Sequence, residues 1–159
     1  YGFKDKGTKI ATSLSNRGCR AACTFCNVRT FNGVGVRGKT VDSVLEELKV
    51  LKYEYDIGHL IWLDDDLLYD EKRAIELFNG IVQKDLGFTW DATNGVIASS
   101  CKYDVIAAAA ASGCIGMYFG IESMGIGILS YNENYVGDDM SVQNLIDESG
   151  LLNYFSSED

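Results

Sequence analysis

The segment Thr40-Val41-Asp42-Ser43-Val44-Leu45-Glu46-Glu47-Leu48-Lys49-Val50-Leu51, followed after a polar break by His59-Leu60-Ile61-Trp62-Leu63 and then by Asp64-Asp65-Asp66, decides the fold class. Its first part sets Val41, Val44, Leu45, Leu48 and Leu51 on one helical face. Thr40 is placed to cap that helix, and Asp42 falls in the first turn, where the helix dipole favours an anion. The second part is a short continuous apolar run, the pattern of a buried strand, and three acids end it.

The same alternation continues on both sides. Upstream, Lys9 to Ser15 reads as a strand, and Asn16 to Gly38 as a Gly- and Arg-containing loop around three cysteines. Downstream, Asp70 caps a second helix with Ala74, Ile75, Leu77, Phe78, Ile81 and Val82 facing inward. Phe88 to Thr93 is a third strand closed by Asn94-Gly95, and an Ala-rich helix runs from Lys102 to Ser112 until Gly113 stops it. Cys114 to Ile121 is a fourth strand leading to Glu122-Ser123. A polar, Gly-containing stretch then precedes a last helix over Ser141 to Leu152.

The order β-α-β-α-β-α-β-α specifies an α/β fold with a parallel sheet and right-handed crossovers. Two architectures fit: about four to five units of a parallel (β/α) barrel, or an open doubly wound sheet. Both collect the loops that follow the strands on one carboxyl rim. The cysteines, the Asp triplet, Asn94 and Glu122 all fall there.

Composition agrees. The chain has 159 residues, 47% hydrophobic and 23% charged, which excludes a disordered tail, a coiled coil and a collagen-like fibre. Its formal charge is −9, against the grip on a phosphate backbone that nucleic-acid binding by this piece alone would need. No apolar run reaches the roughly 18 residues of a membrane span. There is no initiator Met, so the expectation is one domain, residues 1–159, cut from a longer chain and truncated at its C-terminal end.

Five cysteines, three of them within Cys19-Arg20-Ala21-Ala22-Cys23-Thr24-Phe25-Cys26, make a poor disulfide framework and a good metal-binding loop. Iron–sulfur clusters are normally held by four thiolates. Three leave one coordination position open, and open positions are where metals do chemistry.

This Cys-x3-Cys-x2-Cys loop directly after a first strand, with Phe25 before the last Cys, resembles the radical S-adenosylmethionine (radical SAM) superfamily. Val36-Arg37-Gly38-Lys39-Thr40 is similar to the basic stretch that opens its first helix. Gly113 to Ser123 is similar to the "GC…GIES" signature of its cobalamin-binding and methylthiotransferase-like branches. The resemblance implies that Cys19, Cys23 and Cys26 hold a [4Fe–4S] cluster and that SAM chelates the fourth iron. Reductive cleavage of SAM then gives a 5′-deoxyadenosyl radical for hydrogen abstraction or methylation-type chemistry. By the same resemblance Phe25 packs near the SAM adenine. Asp64, Asp65 and Asp66 stand where the family carries the motif that meets the methionine ammonium, Asp66 foremost. Asn94, Glu122 and Ser123 face the cofactor. An electron donor such as flavodoxin or ferredoxin, cobalamin in the longer parent, and a cytoplasmic setting are implied as well.

Competing readings are a zinc-stabilised α/β interaction module, its site completed by His59, and a radical SAM remnant that has lost activity. Zinc sites usually pair two Cys-x2-Cys units, and the second unit is absent here. Three neighbouring carboxylates repel, and a cation, from SAM or from Arg37, would make them comfortable. Cys101 and Cys114 read as small buried hydrophobes, His59 as structural, and Trp62, Trp90, Phe78 and Tyr118 as core.

Overall fold

The computed structural model describes residues 8–119. In chain order the elements are β1 (Ile10–Ser13), β2 (Asn16–Arg17), α1 (Val28–Asn32), β3 (Arg37–Gly38), α2 (Val41–Tyr53), β4 (His59–Trp62), α3 (Glu71–Gln83), β5 (Thr89–Val96), α4 (Tyr103–Ala111) and β6 (Cys114–Phe119). Two of the three longer helices start on side-chain caps. Thr40 Oγ1 accepts from Ser43 N at 3.3 Å, and Asp70 Oδ1 from Arg73 N at 2.9 Å, each satisfying a backbone donor that the first turn leaves over.

Four strands form one parallel sheet in the order β1-β4-β5-β6. Neighbours in the sheet follow their order in the chain. A doubly wound sheet reverses at a switch point, whereas a barrel winds in one direction. This order is that of a barrel arc. Helices α2, α3 and α4 follow suit, each beside the next.

The core lies between the helices and the sheet, where Leu48, Leu77, Phe78 and Val105 meet Leu60, Trp62 and Trp90, all almost fully buried. Phe78 stacks on Trp90 with centroids 5.0 Å apart, and Trp62 meets Trp90 edge-on at 6.4 Å. Such pairs add about 0.5–1.5 kcal/mol beyond their buried area. The indole Nε1 of Trp90 donates to Ser112 Oγ at 3.0 Å, so this large side chain is buried without stranding its donor. At Gly80 a Cβ would lie 2.5 Å from Leu45 Cδ1, which lets α3 approach α2 closely.

Four expectations are corrected. Asn94-Gly95 does not close the third strand. β5 continues to Val96, with register shifts against β6 that absorb the extra residues. The stretch from Asn16 to Gly38 is not all loop, because β2 pairs antiparallel with β3 and α1 lies between them. Val82 is 47% exposed, at the flank of the apolar stripe rather than its centre. Tyr118 is 43% exposed rather than core, on a strand that among the described residues pairs with β5 alone. Glu122, Ser123 and the last expected helix lie outside the described residues. Among the described residues no helix is long and apolar enough to cross a membrane.

Candidate functional site

The carboxyl ends of β1 and β4 lie side by side, Ser13 opposite Trp62, and Leu63 N donates to Ser13 O at 3.0 Å. The cysteine loop leaves β1 and the Asp triplet leaves β4. Adjacent strands therefore deliver them to one place, although the residues that meet are 33 to 50 positions apart in sequence.

Each acid of the triplet holds a different part of the loop. Asp64, 2% exposed, accepts from Ser15 N, from Ser15 Oγ at 2.5 Å and from Asn16 N at 2.7 Å. Burial pushes its carboxyl above the ordinary value, and the bonds from Ser15 and Asn16 pull the other way. Asp65 Oδ2 accepts from Gly18 N at 2.9 Å and from Asn32 Nδ2 at 2.7 Å. One carboxylate thus ties the residue before Cys19 to the end of α1, beyond Cys26. Asp66, 1% exposed, pairs with Arg20 Nε at 3.1 Å, and its carbonyl accepts from Asn16 Nδ2 at 3.0 Å. Burial raises its carboxyl and Arg20 opposes the shift.

Two arginines brace this arrangement. Arg20 reaches on to Tyr69 O at 3.1 Å and to Ser100 Oγ, linking the cysteine loop to the loops after β4 and β5. From α3, Arg73 donates to Ser15 O and Lys39 O, both at 3.0 Å, and so clamps the ends of the β2–β3 ribbon together. Asn94 Nδ2 donates to Leu63 O at 3.0 Å, on the same rim. At Gly18, with φ of +89°, a Cβ would fall 2.2 Å from Gly35 O, so the loop can cross itself only at a glycine.

The three thiols sit on this footing. Cys19 is half-buried, while Cys23 and Cys26 are exposed, and Cys26 N donates to Cys23 O in a tight turn. Burial pushes the Cys19 thiol up. Ala21 N–H works against that, and the charges of Asp66, Cys23 and Cys26 add to it. The sulfurs thus share one electrostatic neighbourhood, in which three thiolates need cations to coexist. Phe25, between Cys23 and Cys26, is 55% exposed and offers an apolar face there.

Among the described residues no three Cys, His, Asp or Glu side chains are gathered closely enough to hold a single metal ion. Ligands of a four-iron cluster each take a different iron, so they need to converge less than ligands of one zinc. The donor set, three thiols on one loop, fits a cluster with a fourth corner left over.

His59 completes no zinc site. It is fully buried at the start of β4, away from the rim, with Nδ1 2.8 Å from Thr89 Oγ1 and Nε2 3.1 Å from Asp91 Oδ2. Burial pushes Cys101 up to about 12 and Cys114 to about 11, the signature of inert thiols. The expectation about Arg37 is corrected too. It donates to Asn32 O, and the cations at the triplet are Arg20 and Arg73. Sequence reasoning missed Ser15, Asn16, Arg20, Asn32 and Arg73 as parts of the site. Arg20, a cation inside the cysteine spacing beside an otherwise unneutralised acidic triplet, was the available signal.

Comparison with known proteins gives a match to the radical SAM superfamily over residues 14–135. An uncharacterised methyltransferase of Pyrococcus horikoshii is 35% identical over 145 residues, 91% of this chain and 30% of that protein. The cytidylyl-2-hydroxyethylphosphonate methyltransferase of Streptomyces wedmorensis is 32% identical over 117 residues, 74% of this chain and 22% of that protein. The fold is similar to that of TsrM, a radical S-adenosylmethionine methyltransferase from Kitasatospora setae. The TM-score is 0.70 at 18% identity, over 89% of this chain and 29% of that one. TsrM has been seen with tryptophan and a SAM analogue bound, and separately with cobalamin and a [4Fe–4S] cluster. The chain spans less than a third of the length of each of these relatives.

Proposed function

Since this chain belongs to the radical SAM superfamily, whose members bind a [4Fe–4S] cluster and S-adenosylmethionine, we propose that Cys19, Cys23 and Cys26 hold that cluster and leave one iron for the amino-acid end of SAM. The observation that carries this is the single loop bearing three thiols and no fourth, its two ends tied by Asp65 on the rim of a parallel sheet. The bound pair would supply one-electron cleavage of a sulfonium C–S bond. The chemistry belongs to the cofactor, and the protein's work is placement and exclusion of water.

The chain's own residues divide that work. The three thiolates anchor the cluster, and Asp64 and Asp65 keep the loop in shape. Asp66, beside Cys19 and already holding a guanidinium, is the carboxylate suited to an ammonium group. Phe25 presents the apolar face against which an adenine can lie, and Asn94, whose Nδ2 donates to Leu63 O, belongs to the same cofactor site. Glu122 and Ser123 belong to the same SAM site. Residues 1–159 belong to a radical SAM core domain, and the protein works in the cytoplasm.

The relatives named as methyltransferases support methyl transfer as the reaction of that whole protein, with cobalamin as the methyl carrier. Anaerobic reconstitution with iron and sulfide, followed by EPR of the reduced protein with and without SAM, tests the assignment. A four-iron signal that changes on SAM addition is the expected result, and Cys23→Ala should abolish it. A colourless zinc protein would restore the interaction-module reading. A cluster signal indifferent to SAM would leave an inactive remnant.

A further inference from the structure

In a chain of −9, two cations are set against each other. Arg17 and Arg37, both exposed, stand directly opposite across the β2–β3 ribbon, an arrangement that costs stability when the charges are alike. Among the described residues neither has an ion-pair partner. Both line a cavity of about 310 Å³. Lys39 and Glu47 share its wall and pair with each other at 2.6 Å, which leaves the two guanidiniums as the net charge of the cavity.

Ser13 and Asn16, 4% and 2% exposed, line the same cavity. Each keeps a buried polar atom with no hydrogen-bond partner among the described residues, Ser13 Oγ and Asn16 Oδ1. The sense of the second is fixed. Asn16 Nδ2 donates to Asp66 O at 3.0 Å, and a carbonyl can only accept, so the atom left over is an acceptor that calls for a donor. A serine hydroxyl can serve in either sense. Buried polar atoms are rarely left unbonded, and two on the wall of one positively charged cavity point to a partner that the fold itself does not supply.

We propose that this cavity binds a small hydroxylated oxyanion, a carboxylate or phosphate that also carries a hydroxyl group, with its anionic group on Arg17 and Arg37 and its hydroxyl on Ser13 and Asn16. Guanidinium groups hold such oxyanions through paired, charge-assisted N–H donors. The anion offsets the repulsion across the ribbon, and the hydroxyl gives Asn16 Oδ1 the donor it lacks. None of the residues assigned above to the cluster or to SAM lines the cavity, so its ligand is an effector rather than a reactant. Its effect passes through Asn16. The backbone N of that residue donates to Asp64 Oδ1 at 2.7 Å and its side chain holds Asp66 O. A ligand on Asn16 therefore fastens the ribbon to the acids that support the thiol loop.

The test uses the full-length protein as isolated, so its outcome is independent of the cluster assignment. L-malate and glycerol 3-phosphate are the probes, each set against its counterpart without the hydroxyl, succinate and propyl phosphate, with KCl at matched ionic strength as the control. At millimolar concentration at least one hydroxylated probe should raise Tm above the KCl control, and the tighter of the two identifies the anion. The counterpart should bind about tenfold more weakly in calorimetry, the effect of one lost hydrogen bond. Arg17→Glu should abolish binding while raising Tm of the unliganded protein, because it replaces a like-charged cross-strand pair by an opposite one. Ser13→Ala should weaken the hydroxylated probe about tenfold, leave its counterpart unchanged and not lower Tm, since it removes an atom that had no partner. Binding lost without stability lost separates a ligand site from damage to the fold. Hydrogen exchange over residues 13–19 should slow when the probe binds. No rise in Tm beyond KCl, equal affinity with and without the hydroxyl, binding that survives Arg17→Glu, or unchanged exchange over that stretch would each overturn the proposal. Tighter binding of an acidic peptide than of either probe would overturn it as well, by making the face a protein-docking surface.

Discussion

Asp65 is the residue on which the geometry of all three thiols converges, because it holds the chain both before Cys19 and after Cys26. Asp65→Ala would leave Gly18 N and Asn32 Nδ2 without their acceptor, and each such loss costs about 1–3 kcal/mol where water cannot replace it. The expected outcome is a lower urea midpoint together with fewer irons per chain after reconstitution. Normal iron loading in a destabilised variant would contradict it. Cys101 allows a pH prediction. Its thiol is held up at about 12 against an ordinary 9.0, so the folded protein keeps a proton that the unfolded chain releases. The contribution is therefore whole below pH 9.0 and is lost as the pH climbs towards about 12. Cys101→Ala should show a shallower alkaline fall in Tm than the parent. At neutral pH iodoacetamide should spare Cys101 and Cys114 in the folded protein.

At the scale of elements, the β2–β3 ribbon depends on a helix that follows it in sequence. Arg73→Gln removes donors to Ser15 O and Lys39 O, and hydrogen exchange should quicken over residues 15–39 while α3 stays protected. Uniform exchange across the chain would argue against a local clamp. Phe78→Ala opens a hole against Trp90 and should cost about 3–5 kcal/mol in urea unfolding. These elements differ in how well the sequence announces them. Helices α2 and α3 each repeat an apolar face over 13 residues behind a capping side chain, and both are legible. Helix α1 has five residues, none buried and no side-chain cap. β2 and β3 have two residues each, too few for any period to register. The rim itself could be foreseen from strand order, because every loop after a strand ends there. The partners of the Asp triplet could not, since Ser15 and Asp64 meet across 49 positions.

For the molecule as a whole, two electrostatic conditions coexist, a chain of −9 and an unneutralised pair of arginines on one face. Both are repulsive, and salt screens exposed charges within about 10 Å at 0.1 M. Tm should rise as salt is added from low ionic strength, and the rise should be smaller in Arg17→Glu; a Tm independent of salt would show that neither repulsion matters. The order β1-β4-β5-β6 carries a different consequence. Nearly everything that shapes the thiol loop comes from the strand next door and the helix after it: three acids and Arg73. A designer wishing to transplant this motif into another scaffold would gain little by copying the eight residues from Cys19 to Cys26. The portable unit is discontinuous, a hairpin-like arm together with a second strand's tip and one guanidinium, and a host lacking that footing would receive three thiols with nothing to aim them.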